Sequence, residues 1–153
     1  MDSQILGCLG WFRVAAQALV LIAATDGACS SSVIAQEIQA HATFLRRVTA
    51  RLVHARILVA REGRAGGYRL ARPAASITLA EVYQAAKSAY QPEQVAALTS
   101  CNPHLQQMFD QVADEIERSL LATLDRYTIA SLMEIPLPAI APCSAALESQ
   151  PLL

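Results

Sequence analysis

The sequence predicts a mainly α-helical chain with one small β-hairpin. Three observations predict it. Apolar residues recur at three- and four-residue spacing through successive segments before residue 55. The period then shortens on either side of a glycine-rich turn at 63–67. From Pro103 to Tyr127 a helical stripe returns and runs unbroken. A chain of 153 residues suits one domain, or one domain with an added oligomerisation element. With 54% hydrophobic and only 16% charged residues, its composition is that of a folded chain rather than a disordered one.

The first helix is expected over Trp11 to Thr25, where Phe12, Ala15, Ala16, Leu19, Ile22 and Ala23 keep helical spacing. Thr25-Asp26-Gly27 stops it, with Gly27 able to take a positive φ. The run Ser30-Ser31-Ser32 opens a second, short helix. With Ser32 as N-cap, its stripe is Val33, Ile34 and Ile38, and it ends near Ala40. A third helix starts around Thr43, a candidate N-cap. Leu45, Val48, Thr49 and Leu52 mark its inward face, while Thr43, Arg47, Ala50, Arg51 and His54 fall opposite, with Arg46 at the flank.

Leu58 to Glu62 then reads as a strand, Gly63 to Gly67 as a turn, and Tyr68 to Ala71 as the returning strand, ended by Pro73. Three helices followed by a basic-tipped hairpin is the winged helix-turn-helix plan. A fourth helix is expected over Leu79 to Lys87, and a polar connector after it. The longest helix follows, with Asn102 as N-cap and Pro103 in its first turn. Its stripe is Leu105, Met108, Phe109, Val112, Ile116, Leu120, Leu121 and Leu124. That stripe either packs back on its own domain or meets a partner helix. The second is favoured, because a domain of about 90 residues does not easily cover it. A short helix, Ile129 to Met133, follows. The expected organisation is a winged helix-turn-helix DNA-binding domain over 1–88, a connector over 89–101, dimerisation helices over 102–134 and a flexible tail over 135–153.

Charge points the same way. The formal net charge is −1, which taken alone argues against a nucleic-acid partner. Between His41 and Arg72, however, eight arginines face one acid, Glu62, a local +7. The remaining four bases and twelve acids give −8. A local excess of this size is a phosphate-binding surface in waiting, and the acidic remainder limits unspecific adhesion.

Other classes are disfavoured. The most apolar stretch, Val14 to Ala24, is interrupted by Gln17 and is far short of the roughly 20 residues of a membrane span. No basic n-region or cleavage site follows Asp2, so the expectation is a cytoplasmic protein with no membrane partner. The four cysteines, Cys8, Cys29, Cys101 and Cys143, never form C-x-x-C, which excludes a zinc ribbon. An enzyme is not expected: no catalytic cluster or phosphate loop stands at usable spacing.

The run Thr43-Phe44-Leu45-Arg46-Arg47-Val48, then Leu52, then Glu62 to Pro73 with Gly66-Gly67-Tyr68-Arg69-Leu70, then Ile77-Thr78-Leu79-Ala80-Glu81-Val82-Tyr83, resembles the Rrf-two family over about residues 10 to 134. These are bacterial winged-helix transcription regulators, including an iron–sulfur cluster regulator, a nitric-oxide-responsive repressor and a cysteine-metabolism regulator. The resemblance implies a homodimer on a pseudo-palindromic site in double-stranded DNA, with the long helix crossing to its partner. The residues agree with it. Arg46, Arg47 and Arg51 can donate to guanine edges or phosphates, and Thr43 can reach either. Arg64 at the hairpin tip is placed for a minor groove or phosphate, and Gly63, Gly66 and Gly67 let the wing approach closely.

The chain departs from the family at the cofactor. Cluster-binding members carry three closely spaced cysteines between the fourth helix and the long one, whereas residues 88–104 offer only Cys101. One thiolate cannot supply the four ligands of a cluster, so no iron–sulfur cofactor and no metal site are expected. Cys101 stands just before the long helix, where the helix dipole favours a thiolate, and Cys8 near the start of the first. The two are candidates for a redox-responsive pair across a dimer. The reading is therefore a DNA-binding regulator, in the first place a repressor. Its rival is a winged-helix adaptor that binds protein and leaves DNA alone.

Overall fold

The computed structural model describes residues 3–25, 27–63, 66–87 and 103–134, with side chains from residue 10 onward. Helix α1 spans Ser3–Ala23, α2 Ser31–Glu37 and α3 Ala42–His54; strands β1 (Leu58–Arg61) and β2 (Gly67–Leu70) follow. A 3-10 turn, Ala74–Ser76, leads into α4 (Leu79–Lys87), and α5 (Pro103–Leu124) and α6 (Ile129–Met133) complete the order. The mainly helical class with one antiparallel hairpin is as expected. Arg64, the 88–102 connector with Asn102 and Cys101, Cys143 and the 135–153 tail lie outside the described residues, as does the side chain of Cys8.

Helix α1 begins eight residues earlier than its periodicity suggests, at Ser3 rather than Trp11. The preceding segment holds Gly7 and Gly10 and no clear stripe, so spacing alone does not mark it as helical. From Ala15 to Ile22 only Gln17 escapes burial, so this helix is central to the core rather than laid over it. Thr25 closes its C-terminal end, with its hydroxyl donating to the Leu21 carbonyl at 2.8 Å. Gly27 does take a positive φ, +127°.

The N-cap of α2 is Ser30, not Ser32: its Oγ accepts from the Val33 N–H at 3.3 Å. The cause is tertiary. Cys29 exchanges two backbone hydrogen bonds with Tyr68, at 3.0 and 2.8 Å, which holds the chain extended up to Ser30 and makes the first serine the cap. Helix α3 likewise starts at Ala42 with His41 in the cap position, and Thr43 lies inside the first turn, exposed. Gln39, between α2 and α3, takes a positive φ of 53°.

Leu45, Val48, Thr49 and Leu52, the four inward residues read from the spacing, are all fully buried. They pack with Leu19 and Ile22 of α1, Ile34 of α2, Ile57, Leu58, Ile77 and Val82 into one core that Ile129 of α6 joins. Thr49 is the one buried polar side chain in that set, and its hydroxyl donates to the Leu45 carbonyl at 3.0 Å. The hairpin pairs Leu58 with Leu70 and Arg61 with Gly67.

Helix α6 folds back onto the domain. Leu79 N–H donates to the Tyr127 carbonyl at 2.9 Å and Ile129 N–H to the Ile77 carbonyl at 3.0 Å. Thr128 and Ser131 cap α6 reciprocally. Helix α5, by contrast, has no buried residue along its 22-residue length.

Candidate nucleic-acid interface

The buried stripe of α3 determines what its other face presents. With Leu45, Val48, Thr49 and Leu52 locked in the core, Thr43, Arg46, Arg47, Ala50, Arg51 and His54 are turned out and exposed. Arg47, Ala50, Arg51 and His54 line an open depression of about 360 Å³. None of Arg46, Arg47 or Arg51 has an acidic partner among the described residues. An outward face with this donor set, on a helix backed by a rigid core, can hydrogen-bond phosphates and guanine edges.

Not all of the local +7 is available. The Arg72 guanidinium donates to Glu81 Oε1 at 2.7 Å and also to the Ser76 carbonyl, which ties the end of the wing to α4. Burial alone would raise the Glu81 carboxyl. The hydrogen bonds from Arg72 and the Thr78 N–H, with the Arg72 charge, outweigh it and hold the group below its ordinary value. Arg72 is thus structural, while Arg61 and Arg69 on the hairpin remain exposed.

The wing glycines have an internal reason to be glycine. Gly63 adopts φ +109°. A Cβ on Gly66 would fall 2.5 Å from the Arg61 carbonyl oxygen and 2.7 Å from that of Gly63. One on Gly67 would run into the Cys29 carbonyl group and stand 2.9 Å from the Ser30 nitrogen. The close backbone approach made at Gly67 is therefore to the α1–α2 loop. Tyr68 and Tyr83 are packing residues: Tyr68 lies against the core, and Tyr83 is 9% exposed with its ring edge-on to Phe12 at 6.0 Å.

One contact at the interface was not foreseen. Trp11 of α1 stacks at a tilt on Phe44 of α3, with centroids 4.2 Å apart, and the Arg47 guanidinium lies 5.2 Å from the Trp11 ring centroid. Position 11 carries no sequence signal for this, because the contact depends on how α1 crosses α3.

Among the described residues no group of three or more His, Cys, Asp or Glu side chains could hold a metal ion. Cys29 is buried in the core. On α5, Leu105, Met108, Phe109, Val112 and Ile116 are 46–63% exposed. Among the described residues nothing covers these five positions fully, whereas Leu124 at the end of the same stripe packs against the core. No helix among the described residues is long and apolar enough to cross a membrane.

Residues 11–135 match the family model Rrf2, described as an iron-dependent transcriptional regulator. No curated protein matches the sequence. Among solved structures, the chain is similar to T. potens IscR, with 19% identity, 84% of this chain and 90% of that one covered, and a TM-score of 0.62. Staphylococcus aureus CymR is 22% identical, with 84% and 99% covered and a TM-score of 0.59. CymR of B. subtilis, the global cysteine regulator, is 20% identical, with 88% and 97% covered and a TM-score of 0.53. At these identities the structures speak for the fold.

Proposed function

The chain belongs to the Rrf2 family of transcriptional regulators, and from that premise we propose that it acts as a homodimeric repressor on a pseudo-palindromic DNA site. It is a regulator, not an enzyme. The observation that carries the DNA-binding reading is the outward row Arg46, Arg47 and Arg51, exposed and without acidic partners among the described residues, on a helix whose opposite face is fully buried. The uncovered apolar residues of α5 support the dimer. A two-fold partner would set two copies of α3 for successive major grooves. Thr43, and Arg64 from its place in the sequence between the two wing strands, would add phosphate or minor-groove contacts.

The family description is iron-dependent, but the donor set of this chain does not fit an iron–sulfur cluster. Its 88–104 segment carries one cysteine, and the described residues hold no alternative cluster of ligands. We therefore assign no cofactor. A signal carried by thiol oxidation would fall to Cys8 and Cys101, the pair singled out by sequence position.

Selection from random duplex DNA, followed by titration of the recovered site at several salt concentrations, tests the reading. Six arginine–phosphate contacts per dimer give a slope of log K against log[salt] of about −5. Absence of DNA affinity, or an affinity indifferent to salt, overturns it in favour of a protein-binding adaptor. Repeating the titration with oxidised protein and with Cys101→Ser tests the thiol role: oxidant sensitivity unchanged by the substitution removes it.

A further inference from the structure

Trp11 lies outside the helix-turn-helix pair, yet touches its second helix at two side chains. Its ring packs on Phe44, and the Arg47 guanidinium sits over it at 5.2 Å from the centroid. Phe44 and Arg47 are three residues apart on α3, so they project from the same side of one turn. We propose that Trp11 is a positioning residue for DNA recognition, holding the Arg47 side chain in the orientation from which it meets the nucleic acid. The inference rests on the DNA-binding reading of α3.

The chemistry is that of a cation over an aromatic face. An exposed arginine samples many rotamers and gives up that freedom when it binds. A guanidinium already resting on a ring has less to give up. The guanidinium carries five N–H donors, so contact with one ring leaves donors available to a phosphate or a guanine edge. Phe44 and Trp11 both pack against the core, and their rings are in contact with each other. Arg47 also forms one side of the depression it shares with Ala50, Arg51 and His54, so holding it preserves the outline of that surface. The opposite role, a clamp that keeps Arg47 from DNA, predicts the opposite sign.

A double-substitution cycle on the full chain separates these cases. The probe is a duplex of about 30 base pairs recovered by selection with the wild-type protein, long enough for two half-sites one helical turn apart. Trp11→Leu is expected to weaken binding about five- to thirtyfold for the two copies. Arg47→Ala should weaken it further and make the salt slope shallower by about 1.8 for the two copies. In the Arg47→Ala background, Trp11→Leu should have no further effect on affinity. Arg47→Lys, which keeps the charge without the planar fork, should keep part of the dependence on Trp11. Trp11→Phe, which keeps an aromatic face, should restore most of the affinity and guards against a leucine variant that folds poorly.

Thermal unfolding of each variant records any loss of packing separately. A merely structural Trp11 would give the same loss of affinity with and without Arg47, and that additivity overturns the inference, as does tighter binding by Trp11→Leu. Trp11 is the sole tryptophan, so its emission is a second readout, expected to change in Arg47→Ala. An unchanged spectrum would show that the contact is absent in solution. Failure of the wild-type chain to bind any duplex removes the DNA reading and this inference together; binding with additive losses removes this inference alone.

Discussion

Replacing Phe109 or Ile116 by glutamine should separate the subunits. Both lie on the α5 stripe, 62% and 61% exposed, so well over half of each side chain is still in water. Full burial of such a side chain is worth about 1.5–3 kcal/mol, so the remaining exposure corresponds to about 1–2 kcal/mol for each. In a two-fold dimer every substitution is made twice. The loss is then about 2–4 kcal/mol of association free energy, or roughly 30- to 1,000-fold in the dimer Kd. Glutamine is a good helix former, so a 22-residue helix should survive the change. Sedimentation equilibrium across a wide concentration range measures the shift, and circular dichroism checks that helix content is kept. Val59→Gln serves as the control, since Val59 is 42% exposed but lies on β1, away from the stripe. A wild-type chain that stays monomeric, or a Phe109→Gln Kd within about threefold of wild type, refutes the reasoning. So does a control that dissociates the dimer equally.

Two further outcomes follow from the wing and its anchor. Gly67→Ala puts a methyl group against the Cys29 carbonyl and the Ser30 nitrogen, both backbone, and should cost about 1–3 kcal/mol in chemical denaturation; an unchanged midpoint would show that the wing does not dock there. Glu81→Gln should lower the melting temperature at neutral pH, because the carboxylate receiving Arg72 and the Thr78 N–H is held below its ordinary value of 4.5. A depressed carboxyl stabilises the fold above its unfolded value and loses that contribution as the pH falls through the folded one. The two melting curves should therefore converge on acidification below 4.5, and a gap that persists there would place the effect elsewhere.

What was legible depended on whether an element is defined by its own sequence. The inward face of α3 could be read because four residues at helical spacing face one continuous core, and α4 and α6 matched their expected limits for the same reason. Local sequence does not specify a cap where a distant strand determines it. Three consecutive serines are equivalent locally, and only the pairing of Cys29 with Tyr68 selects Ser30. The outward arginines were legible as a set, but Arg72 was not separable from them. Its withdrawal into an ion pair with Glu81 needs a partner nine residues away across a turn. Trp11 was illegible for a similar reason: it reads as one more apolar residue of a buried helix until α3 is laid beside it.

These particulars explain why a chain of net charge −1 can carry a DNA-binding surface. Coulombic attraction reaches about 8–10 Å at ordinary ionic strength, so a phosphate senses the local donors and not the molecular average. On α3 those donors stand on one helical face. The acids Asp110, Asp114, Glu115 and Glu117 stand instead on α5, where Lys87 of α4 takes Glu117. Helix α5 is tied to its own domain at its C-terminal end, through the backbone bonds from Leu79 to Tyr127 and from Ile129 to Ile77. A partner held on the α5 stripe is therefore held, through those bonds and the shared core, at a defined offset from α3. The spacing of two recognition helices is then a property of the α4–α5–α6 junction. A substitution that loosens the junction should relax the tolerated spacing between half-sites before it weakens the contact with either one.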